Sequence, residues 1–307
     1  MLTSFFNKSK PIQFLVVGLY MTIFYCFANF SNINVETDVF WYLKKFGGLI
    51  VFLSTMIVIQ FFIRRSEFTK NRTYKIFLFA TFTAMFPVLL QNTDLIFANL
   101  FVVMGLRRLV ELRTSRFVKE KIFDAVFWIC IASLFSFWTV AFILIVYCGI
   151  LLHAAQNFRH WLIPILSFLA VTLLVNSFYL LIFDRFFTIS DWYQNANFDF
   201  AAYRNFEILI PVSLLLALLL WSLPYFLNVL RTSSAIAKPS LIVILLYLIT
   251  SVFIGVFSFL KNGSEVIYFL VPLAVIVATY INKLDDQWFK EVLLVLLCLL
   301  PLLLLFI

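Results

Sequence analysis

The sequence predicts an all-α, polytopic membrane protein: a helical bundle formed by residues 1–307 as a single transmembrane domain. Three observations carry that expectation. Hydrophobic residues fill 64% of the 307 positions and charged residues only 12%, too little polar surface to clothe a soluble core of this length. Stretches such as Ile12–Phe30, Leu162–Phe183 and Leu241–Leu260 carry no charge, and each is close to the ~20 apolar residues that cross a bilayer as a helix. Runs such as Val292–Leu300 are apolar on every side, unlike the alternating strands of a membrane barrel.

Polar breaks divide the chain into about eleven membrane segments. The first, Ile12–Phe30, follows Lys8 and Lys10. No small-residue cleavage site comes after it, so it reads as a retained helix and not a signal peptide. Beyond the loop at 31–38, Val39, Phe40, Leu43 and Phe46 share a helical face opposite Lys44 and Lys45. That pattern predicts a short helix lying along the outer membrane surface, ahead of a second span at Gly47–Ile63. Ile76–Leu90 and Leu95–Val110 are short spans joined by the tight turn Gln91–Asp94. The later spans are Leu162–Phe183, Ile208–Tyr225, Leu241–Leu260, Val266–Ile281 and Val292–Ile307.

Between them, Ile122–Leu152 is long for one crossing and short for two. Counting bases decides, because cytoplasmic loops are enriched in Lys and Arg. Read as a hairpin of Ile122–Phe137 and Thr139–Leu152, eighteen of the 23 bases fall inside, leaving Lys44, Lys45, Arg185, Arg204 and Lys261 outside. Read as one span, the split falls to sixteen against seven. The hairpin is favoured, with the N-terminus cytoplasmic. The net charge of +8 is then a topology signal, and no nucleic-acid partner is implied. The clusters at Arg64–Lys75 and Arg107–Lys121 should attract anionic lipid headgroups, at about 1 kcal/mol per base near the surface. Arg107, Arg108 and Arg113 are therefore candidate headgroup contacts.

Several function classes are disfavoured. Cys26, Cys130, Cys148 and Cys298 all fall inside apolar segments without C-x-x-C spacing and read as small fillers. No metal, cofactor or phosphate-loop motif occurs, and no cofactor is expected. The seven glycines form no G-x-x-x-G. The prolines show none of the paired interruptions of a two-halved transporter, and no charge falls in mid-span.

Four places can carry chemistry. Glu36 and Asp38, just after the first span, could serve a hydroxyl acceptor as general base; they equally suit the first turn of the following helix, where its dipole favours anions. Asp94 and Asn99 belong to a tight turn and the helix after it, where polar groups hydrogen-bond neighbouring helices. The outside stretch Asp184–Glu207, with Asp191, Trp192, Tyr193, Asp199, Phe200, Tyr203 and Arg204, combines an interfacial aromatic belt with room for a partner. His153 and His160, read on one helix, stand two turns or roughly 10 Å apart, too far to share a metal. With Arg159 and Trp161 they suggest a headgroup-level anchor or lipid-phosphate contact.

The stretches Lys121-Ile-Phe-Asp124-Ala-Val-Phe, Ala132-Ser-Leu-Phe135 and Phe158-Arg159-His160-Trp161, with the opening Met1–Ile12, resemble an uncharacterised family of polytopic inner-membrane proteins of Gram-negative bacteria. That resemblance implies a location and no activity. The chain is also similar, less closely, to multi-span glycosyltransferases that use polyprenyl-phosphate sugars. They carry an acidic residue in the first outside loop, a place that Glu36 and Asp38 would fill. Two functions are accordingly expected: a non-catalytic subunit of a cell-envelope complex, in contact with lipids and other membrane subunits, or a lipid-linked-sugar glycosyltransferase.

Overall fold

Backbone polar groups in hydrocarbon must be satisfied within their own segment, and the chain answers with helices throughout. The computed structural model describes residues 2–6, 11–30, 39–63, 73–114, 116–153, 157–235, 237–284 and 286–304, and among them there is no strand. The helices are α1 (Leu2–Phe6), α2 (Pro11–Phe30), α3 (Val39–Ile63), α4 (Tyr74–Ala84), α5 (Pro87–Gln91), α6 (Thr93–Val110) and α7 (Val118–Phe135). They continue as α8 (Ile143–His153), α9 (Arg159–Phe183), α10 (Ile189–Trp192), α11 (Phe206–Thr232), α12 (Lys238–Phe257), α13 (Ile267–Lys283) and α14 (Gln287–Leu304). Short 3-10 turns occupy Glu111–Thr114, Phe137–Phe142, Ala201–Arg204 and Ser264–Val266.

Seven helices are long and apolar enough to cross a membrane: Pro11–Phe30, Val39–Phe61, Arg159–Phe183, Phe206–Thr232, Lys238–Phe257, Ser264–Lys283 and Gln287–Leu304. The other expected crossings are shorter or more charged. α4 and α8 have 11 residues each. α6 carries Asp94, Arg107 and Arg108, and α7 carries Lys119, Glu120, Lys121 and Asp124.

Burial sorts the helices into an inner and an outer set. Every residue of α4 is buried, as is 94% of the α13 span, against 11% for α9. α4 packs most extensively on α13, and α6 on α7 and α3. On the outer helices burial is confined to narrow seams, such as Ile208, Pro211, Leu215, Ser222, Phe226 and Val229 of α11. The remaining faces expose Leu, Ile and Phe, as a multi-pass protein solvated by lipid requires.

Three sequence expectations need correction. No separate surface helix precedes the second span: Val39–Ile63 is one continuous helix, because nothing in Leu43–Gly48 caps or breaks it. Ile76–Leu90 is not one helix but α4 and α5. Met85 and Phe86 bond back three residues instead of four, and Pro87 lacks the N–H to continue. His153 and His160 do not share a helix; the first ends α8 and the second lies in the opening turn of α9.

Ile122–Leu152 is two helices. α7 ends at Ser136, the 3-10 turn Phe137–Phe142 follows, and α8 returns along α7 and the 111–114 turn. Glycine sets two close approaches. A Cβ on Gly105 would lie 2.8 Å from the Ala125 carbonyl oxygen, and one on Gly48 would lie 2.6 Å from the Tyr25 hydroxyl.

Contacts gather the polar ends of the helices at two ends of the bundle. One holds Thr3, Gln13, Thr73 and Tyr74, where Tyr74 donates to the Thr3 carbonyl and Thr73 to Gln13. Arg107, over the Phe61 ring near the foot of α3, belongs there as well. The other holds the ends of α2 and α5, the start of α3, the 133–138 turn and the 184–207 segment. There the Trp192 indole donates to the Ser133 carbonyl at 3.0 Å and meets Phe137 edge-on at 5.0 Å. The first is the basic end and the second the acidic end, after the charges each collects.

Candidate functional site

Glu36 and Asp38 lie outside the described residues. They connect the end of α2 to the start of α3, both at the acidic end.

The turn at 91–94 is a staple. Asn29 donates to the carbonyls of Tyr25 and Leu90 at 3.0 and 3.1 Å, and Gln91 donates to the Ala28 carbonyl at 3.0 Å. Lys45 donates to the Gln91 carbonyl at 2.6 Å, Tyr25 donates to the Lys45 carbonyl at 2.8 Å, and Lys44 pairs with Asp94 at 3.1 Å. Asn92 caps α6 by accepting from the Leu95 N–H. The ends of four helices, α2, α3, α5 and α6, are thus bound together, and both partners of the Lys44–Asp94 pair are solvent-exposed. Asn99 behaves otherwise than expected. It is fully buried, yet among the described residues neither amide atom has a hydrogen-bond partner.

At the basic end, two of the arginines expected to contact headgroups are engaged with carboxylates. Arg107 and Arg108 both pair with Glu111 at 3.1 Å, and Arg108 also reaches Asp124 at 3.0 Å. Lys121 donates to the Glu111 carbonyl and the Thr114 hydroxyl. The cluster locks the α6–α7 connection, so part of its charge is spent within the chain. Arg113 lies within the 111–114 turn; Arg159 opens α9 exposed, and His160 beside it is buried.

The acidic end holds a cluster that the sequence reading did not single out. α12 ends at Phe257, and the chain turns through Asn262 and Gly263 into the 3-10 turn that begins the α13 span. Gly263 has φ +86°, a left-handed conformation open to glycine, and Asn262 accepts from the Ser264 N–H at 3.2 Å. This turn directs Glu265 inward until only 1% of it is exposed. Tyr203 donates to one carboxylate oxygen at 2.8 Å; the other oxygen is buried with no hydrogen-bond partner among the described residues. Burial and the Glu265 charge push the Tyr203 phenol well above its usual range. Lys261, itself buried, donates to the carbonyls of Gly255 and Val256 at the end of α12 and sits 4.8 Å from the Phe200 ring. There it serves the negative end of the α12 dipole, and desolvation lowers its pKa. Chemically, a carboxylate with one free oxygen in a dry site can take a proton, a cation or a hydroxyl hydrogen. The sequence signal was Lys261 and Glu265 four apart around an Asn-Gly turn, between two long apolar runs.

Among the described residues no group of three or more His, Cys, Asp or Glu could hold a metal ion. One family profile matches residues 1–307, the full length of the sequence. The chain belongs to DUF6427, a family of unknown function. No curated protein and no solved structure matches it. Family membership accordingly brings no ligand or reaction to the DUF6427 fold described above.

Proposed function

We propose that the protein is a bacterial inner-membrane component that crosses the bilayer about eleven times with its N-terminus in the cytoplasm, and that it serves as a non-catalytic subunit of a cell-envelope complex. The observation that supports the subunit reading is the far half of α9. From Thr172 to Phe183 none of its residues is buried; Asn176 is turned to the chain itself, accepting from the Phe187 N–H at 3.2 Å, but Ser177 is exposed, with its hydroxyl bonded only to the Leu173 carbonyl of its own helix. Polar side chains in lipid normally face other helices, so this half-helix suits a partner span. Purification in gentle detergent followed by mass spectrometry of co-purifying chains tests the reading. Stoichiometric membrane partners, lost on Ser177→Leu, are expected. A chain that purifies alone at full yield overturns it.

A second reading, the lipid-linked-sugar glycosyltransferase, is favoured by one observation: the loop carrying Glu36 and Asp38 joins helix ends that meet at the same end as the half-satisfied Glu265 carboxylate. Glu36→Gln, Asp38→Asn and Glu265→Gln each keep shape while removing a base, whose proton transfer is worth roughly 10²–10⁴-fold in rate. Under the subunit reading all three retain function. A null phenotype with normal abundance and normal partner recovery transfers the case to the enzyme.

A further inference from the structure

The break between α4 and α5 leaves backbone acceptors in the interior. Met85 N–H reaches the Phe82 carbonyl and Phe86 N–H the Thr83 carbonyl, while Leu89 and Leu90 turn back to Phe86. Pro87 donates nothing. Among the described residues no donor reaches the carbonyls of Ala84 or Met85, although both residues are buried. In a membrane interior, irregular backbone persists where it lines a cavity or is covered by protein. A cavity of about 200 Å³ lies at this point, lined by Ala84 and Met85 together with Glu207, Asn262 and Pro301. Asn262 has its side-chain oxygen occupied by Ser264. Glu207, solvent-exposed in the first turn of α11, makes no ion pair among the described residues, so the cavity is bounded on its solvent side by a carboxylate with no fixed cationic partner among them.

We infer that this cavity is a binding site for a hydrated monovalent cation, held by the Ala84 and Met85 carbonyls and the Glu207 carboxylate. The chemistry is that of a hard cation, which prefers carbonyl, carboxylate and water oxygens. A helix that ends inside the protein, with its carbonyl end toward the site, adds to the attraction. The volume exceeds that of a bare ion, so water fills the remaining positions.

The experiment follows thermal unfolding of the full chain in detergent as sodium chloride replaces choline chloride at constant ionic strength, with potassium chloride as a parallel series. A saturable rise in Tm of at least about 2–4 °C is expected in one or both alkali salts. Glu207→Gln should move half-saturation at least tenfold higher. Pro87→Ala, which lets the helix run on so that Val88 N–H can reach the Ala84 carbonyl, should abolish the response without lowering the Tm in choline. Unfolding temperatures equal in all three salts would mean that the cavity holds water alone, and the inference is wrong. A cation response of unchanged midpoint in both variants would place the ion elsewhere and equally overturn it.

Discussion

Gly105 and Gly47 differ in a way that only the folded chain reveals. The added Cβ of Gly105→Ala meets a backbone carbonyl at 2.8 Å and the Ile129 side chain at 2.9 Å, whereas at Gly47 nothing lies within 4 Å. Overpacking typically costs about 1–3 kcal/mol, while glycine to alanine in a helix interior gains roughly 0.5–1 kcal/mol when there is room. Gly105→Ala should therefore lower, and Gly47→Ala should hold or raise, the midpoint of chemical unfolding in detergent. Asn99 offers a second test. A buried polar group left unpaired costs about 1–3 kcal/mol, so Asn99→Leu should stabilise the bundle. If Asn99→Leu leaves stability raised but abolishes function, the amide is serving a ligand and not the fold.

Among the elements, the turn that closes α10 has a pH signature. Asp191 accepts from the backbone N–H and the hydroxyl of Thr188 and pairs with Arg185. The Thr188 backbone bond foremost, then its hydroxyl and the Arg185 charge, holds the carboxyl below the ordinary aspartate range. A group whose folded pKa is depressed contributes stability above its unfolded pKa and loses it as pH falls through the folded one. The protection factor for hydrogen exchange at Tyr193, whose N–H bonds to the Ile189 carbonyl, should hold steady from neutral pH down to the ordinary aspartate range and fall only below it. Asp191→Asn should be less protected than the wild type near neutral pH, and the two should converge as the carboxyl is protonated. How much of this element structure could be read from sequence depended on whether the signal was local. Ile12–Phe30 and the two-helix nature of Ile122–Leu152 were legible from apolar runs and base counts. Val39–Phe46 was misread because Lys44 and Lys45 look like a polar face, although long side chains at a helix end reach the interface without leaving the helix. The Met85–Phe86 break was hidden because proline within an apolar run signals either a kink or a full stop, and only packing chooses between them. Glu265 was passed over because the contact that defines it, Tyr203, is 62 residues away in sequence.

For the molecule as a whole, the sorting of charge to two ends makes the orientation testable. In a cysteine-free background, Ser190→Cys should react with an impermeant thiol reagent applied from the periplasm, and Arg116→Cys and Ser233→Cys should react only after the inner membrane is opened. Labelling of Ser190→Cys only after opening would invert the proposed arrangement downstream of α7. The inner pair of helices bears on synthesis. α4 leaves the ribosome early, is short, and has Thr73, Lys75, Thr81 and Thr83 all buried; its chief neighbour, α13, comes near the end of the chain. A segment this brief, too short to cross the bilayer by itself, gains little by entering lipid alone, so for most of translation it has no finished place to rest. The biogenesis machinery must shelter it until α13 emerges. Nascent chains stopped after Phe257 should therefore leave α4 accessible to protease or bound to an insertase, and those released beyond Lys283 should not. The last quarter of the message thus decides the fate of a helix translated in the first third.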